Sequence, residues 1–320
     1  MDTNRFQPRM SADRYKTASV ELHHRRPSVS ICGGRSDKVQ RFCELAAALL
    51  FCSGLARAGD FRVERDIPYL GEGRAEKADL YLPEGDSGQR PAVVDIHGGG
   101  WSGGDKAAAR EVNICTNLAA NGYVAMSINY VLQQKGGPPV WPKNLHDCKT
   151  AVRWLRVNAE RLRIDGRRIG VIGGSAGGHL AAMVGVTGRG TELDPQGPFG
   201  DQPCDVQAVV DLYGPITWMA TRDLAMFGKT RAEAPELYRL GSPLGHLDKA
   251  DPPILIIHGT DDKTVELEQS RVFAAALEAA GVEHQLITVE GGPHSFHLQP
   301  KQMDLRAAVL GFFNKHLKRQ

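Results

Sequence analysis

The sequence predicts one α/β domain with a mostly parallel central sheet and helices on both faces. Short apolar runs typical of buried strands alternate along the chain with longer segments whose apolar residues recur at helical spacing. Several of these strands run into glycine-rich loops, which is where the active sites of open α/β sheets lie. A chain of 320 residues with 42% hydrophobic residues is long enough for one large domain of this class.

The periodicity predicts the following elements. Strands are expected near residues 61–69, 77–82, 91–96, 122–129, 168–172, 205–211, 253–258 and 284–289. Helices are expected near residues 106–120, 143–158, 176–186, 266–280 and 301–317. Two segments, 188–204 and 218–247, fall outside the pattern, and the first is rich in Gly, Pro and Asp and is predicted to be a loop.

A serine stands in a glycine turn between a predicted strand and a predicted helix. The turn has the sequence Gly173-Gly174-Ser175-Ala176-Gly177. Small neighbours let strand and helix approach closely, and the apex residue takes a strained backbone conformation. The hydroxyl then lies at a helix N-terminus, where backbone N–H groups and the helix dipole favour a developing oxyanion. The alternative is a chance glycine-rich loop, but the flanking strand and helix favour a nucleophile.

A serine nucleophile needs a base and an acid, and both types follow in the chain order Ser, Asp, His. One apolar strand ends in a glycine and is followed by a loop with Asp261 and Asp262, here called the acid loop. The next strand runs into a glycine loop that carries His294 and His297. An imidazole exchanges protons near neutral pH and a carboxylate fixes its tautomer, so these residue types suit the activation of a hydroxyl.

A second glycine loop, His97-Gly98-Gly99-Gly100-Trp101, follows a short buried strand upstream. Three consecutive glycines let backbone N–H groups turn toward a ligand without interference from side chains. The alternative is a phosphate-binding loop, but neither of the usual phosphate-binding glycine patterns begins here. The loop is therefore predicted to supply N–H groups to an oxyanion hole.

With these four pieces in this order, the chain from about Phe61 to its end resembles the α/β-hydrolase esterases with an HGGGW oxyanion loop. Within them it is most similar to the bacterial carbohydrate acetyl and feruloyl esterases, which are related to the hormone-sensitive-lipase-like enzymes. The chain departs from the family pattern at Glu266, where a proline is usual, and at Val131, where an arginine is usual. Further stretches that carry the resemblance are Asp79–Pro83, Ser127–Tyr130, Asp147–Lys149, Ala151–Arg156, Leu212–Pro215 and Gln269–Ser270.

The resemblance implies a catalytic triad. Ser175 would be the nucleophile and His294 the base, since the family's histidine stands two residues before a phenylalanine, which disfavours His297. The family spacing of the acid from the preceding strand selects Asp262 over Asp261.

The resemblance also implies an α/β-hydrolase fold with a small cap insertion at 218–247. The N–H groups of Gly99, Gly100 and Ala176 would form the oxyanion hole. The expected activity is that of a serine carboxylic-ester hydrolase on short-chain or aromatic acyl esters, such as acetyl or feruloyl groups on polysaccharide. Amide hydrolysis by the same triad (a formamidase or peptidase) and a non-catalytic ligand-binding role stay open as alternatives.

Five other polar or aromatic residues have structural explanations. Trp101 is expected either to contact substrate or to pack the glycine loop against the sheet, and Asp105 to cap the following helix. His97 is expected to bond loop backbone, His179 to act as a structural donor, and His258 to position the acid loop.

Residues 1–58 are predicted to be a leader, and residues 59–320 the catalytic domain. A basic flank at Arg41, a short apolar core and a small-x-small site ending at Ala58 are typical of a secretory signal, so we expect a secreted or periplasmic protein cleaved after Ala58. The preceding residues make a very long basic region, which suggests a misassigned start near Val39. The alternative is an ordinary amphipathic helix.

Charge and cysteine content exclude several function classes. Residues 1–58 hold ten Lys and Arg against five Asp and Glu, which leaves 29 against 32 for the rest, so no nucleic-acid partner is expected. The apolar core of the leader is too short for stable membrane insertion. The cysteines that remain, Cys115, Cys148 and Cys204, allow at most one disulfide, and Cys148 is expected to be a small buried hydrophobe on its helix. No metal-binding spacing is present, and we expect neither a metal nor a cofactor.

Overall fold

The computed structural model describes residues 59–85, 88–188, 190–195 and 197–318. The predicted leader and its cleavage point after Ala58 lie outside these residues. The described strands are β1 Phe61–Ile67, β2 Ala78–Pro83, β3 Arg90–Ile96, β4 Val124–Ile128, β5 Ile164–Gly174, β6 Ala208–Leu212, β7 Ile254–Gly259 and β8 His284–Val289. They form one sheet in the order β1-β2-β4-β3-β5-β6-β7-β8.

The sheet is mostly parallel. β2 pairs antiparallel with both β1 and β4, and the other described pairings are parallel. Every residue of the central strands β3 and β6 is buried, as expected for parallel strands that are covered on both faces. The predicted fold class is confirmed.

Helices cover both faces of the sheet. In the described residues they are α1 Ala109–Ala120, α2 Lys143–Val157, α3 Ala159–Leu162, α4 Ala176–Val186, α5 Trp218–Thr221, α6 Pro235–Leu240, α7 Glu268–Ala280 and α8 Arg306–Leu317, with 3₁₀ turns at Ala225–Phe227 and Pro243–Gly245. The buried side chains of α1 and α8 pack with one face of the strands, and those of α2, α4 and α7 pack with the other. Neighbouring residues of one strand thus belong to different cores: Val93 packs with α1 and Val94 with α2.

Each predicted strand and helix is present, but some bounds differ. β5 begins at Ile164 rather than near 168, because a polar stretch in which Asp165 pairs with Arg167 and Arg168 hides its start.

The prediction that Asp105 caps the following helix was wrong. α1 begins at Ala109, and its N-cap residue, Ala108, makes no side-chain capping bond. Asp105 accepts hydrogen bonds from the Ala107 N–H and from Asn129 Nδ2, so it stabilises the turn before the helix. The residues before α1 are bonded elsewhere: the Lys106 N–H donates to Asn129 Oδ1 at 2.6 Å, and the Lys106 ammonium to the buried carboxylate of Asp79 at 2.7 Å.

The two segments outside the regular pattern agree with the predictions of a loop and of a cap insertion. The described part of 188–204 holds turns and bends, and the fully buried Arg153 of α2 bonds it through the carbonyl groups of Pro195 and Gln202. The predicted cap segment, 218–247, contains α5, α6 and the two 3₁₀ turns.

The three cysteines of the described chain, Cys115, Cys148 and Cys204, are buried free thiols. Cys148 lies on the inward face of α2, as predicted. None of the described helices is both long and apolar enough to cross a membrane. Across the described ranges, no group of three His, Cys, Asp or Glu residues is arranged to hold a metal ion.

Candidate active site

Ser175 lies in the sharp turn between β5 and α4. Its backbone has φ 57° and ψ −122°, a region in which side chains other than glycine are strained. The turn is compact, since a Cβ atom at Gly177 would lie 2.0 Å from the Ile96 carbonyl oxygen, and one at Gly173 would lie 2.3 Å from the Gly177 oxygen. The Ser175 N–H donates to the Leu212 carbonyl at 2.9 Å, which anchors the turn to the end of β6.

The structure brings Ser175, His294 and Asp262 into one hydrogen-bonded array. His294 Nδ1 lies 2.6 Å from Asp262 Oδ2, and His294 Nε2 lies 3.0 Å from Ser175 Oγ. Because the carboxylate is an acceptor, Nδ1 carries the hydrogen and Nε2 is left to accept the serine proton. The Asp262 side chain is fully buried and that of His294 is 18% exposed, so the imidazole borders solvent and the carboxylate does not.

Asp262 is held in its charged form. Its Oδ1 accepts the N–H groups of Thr264 at 2.8 Å and Val265 at 2.9 Å. Burial by itself would raise the pKa of Asp262, but hydrogen bonds from His258, His294 and these two N–H groups outweigh it and hold the pKa well below its ordinary value. The carboxylate therefore stays ionised across the neutral range and can stabilise a charged imidazole.

His258 positions the acid loop, as predicted. It is fully buried, and its Nε2 donates to the Val265 carbonyl at 2.9 Å while lying 3.3 Å from Asp262 Oδ2. Its Nδ1 accepts from Ser270 Oγ at 2.7 Å, so both ring nitrogens are used and the tautomer is set.

The two rival residues lie apart from this array. Asp261 is exposed and its side chain is 3.9 Å from Lys263 Nζ. His297 is exposed, and its Nδ1 accepts from the Gln299 N–H at 3.0 Å.

The glycine loop after β3 lies against the serine turn. Gly99 and Gly100 have φ of 111° and 60°, values that favour glycine. A Cβ atom at Gly98 would lie 2.7 Å from the Gly174 oxygen and 3.2 Å from Ser175 Cβ, so no side chain fits between loop and turn. Within the described residues, the N–H groups of Gly99, Gly100 and Ala176 donate to no other backbone or side-chain group. They are free to bind an oxygen anion beside Ser175.

The remaining aromatic residues around the loop have structural roles. His97 stacks on Tyr130 with ring centroids 4.4 Å apart, and its Nδ1 donates to the Gly98 carbonyl at 2.7 Å. Trp101 is almost fully buried and packs edge-on against His179. His179 Nε2 donates to the Gly241 carbonyl at 2.8 Å, and burial lowers the pKa of His179 to about 4, so it is neutral. The structural roles predicted for both histidines are confirmed, and Trp101 packs rather than lining the site.

A cavity of about 600 Å³ opens over the array. Its walls include the glycine loop, the Trp218 ring from the cap segment and Thr264 from the acid loop. The remaining wall includes Ala108 and Ala109 beside polar side chains such as Asp105, and most of its accessible surface is apolar. The arrangement can therefore hold a small organic group against Ser175 Oγ.

Three residues around the array were not found from the sequence. Arg110 and Glu111, in the first turn of α1, lie beside the cavity, and Tyr213 places its ring edge-on to His294 with centroids 5.0 Å apart. Tyr213 follows β6 within one of the stretches that carry the family resemblance, which was the available signal. Nothing in the neighbouring sequence distinguishes Arg110 and Glu111 from an exposed ion pair.

Comparison with known proteins gives the family. The model of the BD-FAE family matches residues 78–277, well over half of the chain, and spans the glycine loop, the serine turn and the acid loop. The chain belongs to the BD-FAE family.

Individual relatives of the chain are named as esterases. The chain is similar to Esterase LipC of Mycobacterium tuberculosis (strain ATCC 25618 / H37Rv), with 32% identity over 65% of this chain and 53% of the relative. The chain spans about half the length of the curated relatives it matches.

Two solved structures share the α/β-hydrolase fold. The truncated form of a carbohydrate esterase from gut microbiota has a TM-score of 0.73 and 28% identity, over 82% of this chain and 99% of that one. Thermogutta terrifontis esterase 2 phosphorylated by paraoxon has a TM-score of 0.64 and 28% identity, over 80% and 91%.

Proposed function

We propose that the protein is a serine carboxylic-ester hydrolase that acts on short-chain or aromatic acyl esters, including acetyl or feruloyl groups on polysaccharide. The observation that carries the proposal is the hydrogen-bonded array of Ser175, His294 and Asp262 beside a glycine loop with free N–H groups. Membership in the BD-FAE family and similarity to proteins named as esterases support the same reaction class.

The proposed reaction has two halves. Ser175 Oγ attacks the ester carbonyl carbon while its proton passes to His294 Nε2, and the N–H groups of Gly99, Gly100 and Ala176 bind the oxyanion. The C–O bond to the alcohol then breaks, and His294 returns the proton to the leaving oxygen. Water repeats the steps on the acyl-enzyme and releases the acid and free Ser175. Asp262 stays ionised throughout and stabilises the imidazolium.

The cavity supports a short or flat acyl group and a polar alcohol. Its volume of about 600 Å³ is shared by both parts of the ester. Trp218 supplies its large aromatic wall, whereas Asp105 and Thr264 supply polar groups. A cavity of this size has room for a short or aromatic acyl group together with a sugar-sized alcohol.

A substrate panel tests the proposal. Purified protein is assayed with p-nitrophenyl acetate, butyrate and decanoate, methyl ferulate, acetylated xylan and the matched anilides, with Ser175→Ala as the control. We expect turnover of the acetate and the ferulate, weak turnover of the decanoate and none of the anilides. Faster hydrolysis of the anilides would favour an amide hydrolase, and binding without turnover would favour a ligand-binding protein. Either result contradicts the proposal.

We also propose that residues 1–58 direct export, so that the enzyme works outside the cytoplasm. The support is the sequence pattern alone: a basic flank at Arg41, an apolar core and small residues at Ala56 and Ala58. Export would bring the enzyme to polysaccharide esters that do not enter a cell.

A further inference from the structure

Arg110 contacts three separate segments of the active site at once. Its side chain is only 13% exposed and borders the cavity. A Cβ atom at Gly98 would lie 3.1 Å from the guanidinium, and one at Gly174 would lie 2.9 Å from it, so the guanidinium packs on the glycine loop and on the residue before Ser175. Its Nη1 also donates to Ser295 Oγ at 3.3 Å. Ser295 lies in the loop of residues 293–297 that carries His294, here called the base loop.

The buried charge of Arg110 is compensated locally. Glu111 is almost fully buried, and its Oε1 accepts hydrogen bonds from Arg110 Nε, at 2.9 Å, and from Nη2. This ion pair fixes one side of the planar guanidinium and leaves Nη1 pointing at the base loop. The geometry is that of a rigid fork rather than of a mobile surface cation.

Tyr213 extends the same contact to the base loop. Arg110 Nη1 donates to the Tyr213 hydroxyl at 3.2 Å, and this hydroxyl donates to the Phe296 carbonyl at 2.8 Å. Burial raises the pKa of Tyr213 to about 12, so the hydroxyl keeps its proton at neutral pH and can donate. The Tyr213 ring also packs edge-on against His294 and Phe296.

Few other hydrogen bonds hold the base loop in place. Within the described residues, 293–297 make no backbone–backbone hydrogen bond, and Ser295 has a φ of 66°. A strained segment of this kind keeps one conformation only when its surroundings determine it. Besides the bond from His294 to Asp262, the polar contacts that hold Ser295 and Phe296 come from Arg110 and Tyr213.

We propose that Arg110, acting with Tyr213, is a positioning residue for the general base: it holds the 293–297 loop so that His294 Nε2 faces Ser175 Oγ. The inference rests on the proposed ester hydrolysis and adds Arg110, which neither the family motifs nor the sequence singled out. The pair orders the base rather than binding the ester. Loss of either contact should therefore lower kcat and leave KM nearly unchanged.

Three variants remove the contacts one at a time. Tyr213→Phe and Ser295→Ala each delete one hydroxyl, and we expect each to lower kcat about three- to tenfold, the effect of one lost hydrogen bond on the placement of the base. Arg110→Lys keeps the positive charge beside Glu111 but loses the fork, and we expect a loss of about 10–100-fold. If Arg110→Lys does not fold, the two hydroxyl deletions still test the proposal.

A second set of variants separates positioning of the base from a general structural effect. In a His294→Ala background there is no base to position, so adding Tyr213→Phe should change the residual rate by less than about twofold. The matched control is Tyr123→Phe, which deletes a buried hydroxyl that donates to Asn314 at 2.7 Å outside the cavity. It should leave kcat and KM at the wild-type values.

The outcomes keep the two proposals apart. If the wild type hydrolyses esters and Ser175→Ala does not, but Tyr213→Phe, Ser295→Ala and Arg110→Lys keep the wild-type kcat, the positioning role is wrong and the hydrolase survives. A loss of equal size with and without His294 would also overturn the positioning role. If the wild type itself fails to hydrolyse esters, the proposed function is what fails.

Discussion

Replacing Asp262 by asparagine keeps the shape of the acid and reverses the hydrogen bond that it makes to the base. The asparagine oxygen can still accept the N–H groups of Thr264 and Val265, which in the native protein lie 2.8 and 2.9 Å from Oδ1. Its NH₂ group then faces His294 Nδ1, where a carboxylate oxygen now lies at 2.6 Å. A donor in that position requires Nδ1 to accept, so the ring hydrogen moves to Nε2 and points at Ser175.

The expected loss is large, because the base then presents a hydrogen instead of a lone pair to the serine. In a triad of this kind the change from Asp to Asn lowers kcat by about 10⁴, or about 5 kcal/mol of barrier. The fold should persist, although the variant also loses the charge that four hydrogen-bonding neighbours, Thr264, Val265, His258 and His294, now satisfy.

Asp261→Asn is the matched control. The Asp261 side chain is exposed, and its nearest charged partner is Lys263 at 3.9 Å, so the change should cost less than about tenfold. Both variants are compared with wild type on p-nitrophenyl acetate, with circular dichroism to check folding. If Asp261→Asn proves the more damaging of the two, or Asp262→Asn keeps a tenth of the activity, the assignment of the acid is refuted.

Two further predictions concern the leader and the cavity wall. Protein exported from a bacterial host should begin at Gly59 on N-terminal sequencing, because Ala56 and Ala58 supply the small residues that a signal peptidase needs; an uncleaved leader on soluble protein would contradict this. Trp218→Ala should raise the ratio of kcat/KM for p-nitrophenyl hexanoate over acetate by about tenfold, because the Trp218 ring lines the cavity. An unchanged ratio would show that the acyl group lies elsewhere.

The fold was predictable because its central strands are nearly uniform apolar runs that end in glycine turns. β3 and β7 illustrate this, since their buried faces leave little choice of residue and their ends lie where the loops begin. Where polar residues interrupt the pattern, prediction failed. The start of β5 was missed because the ion pairs of Asp165 make a strand look like a turn. α1 starts later than predicted, after a turn in which Lys106 bonds Asn129 and Asp79, and the local sequence does not reveal these contacts.

The array itself was predictable because each of its members follows a strand of a parallel sheet, and the ends of parallel strands meet at one edge. The loops of the nucleophile, the acid and the base could therefore be named from their order, and the family resemblance selected Asp262 over Asp261 and His294 over His297; their catalytic roles stay predictions. Arg110 could not. Its burial depends on Tyr213 and Ser295, which approach only once the sheet has formed.

The most direct test of the account is covalent labelling of the nucleophile. Wild-type protein is treated with a fluorophosphonate probe or with paraoxon, digested, and mapped by mass spectrometry, with Ser175→Ala treated in parallel. For the wild type, the account predicts one adduct per chain, on Ser175, and complete loss of ester turnover after labelling. For Ser175→Ala it predicts no adduct and a rate that is lower than that of the wild type by about 10⁴–10⁶, with the same melting temperature. An adduct on a different serine, or substantial turnover by Ser175→Ala, would contradict it.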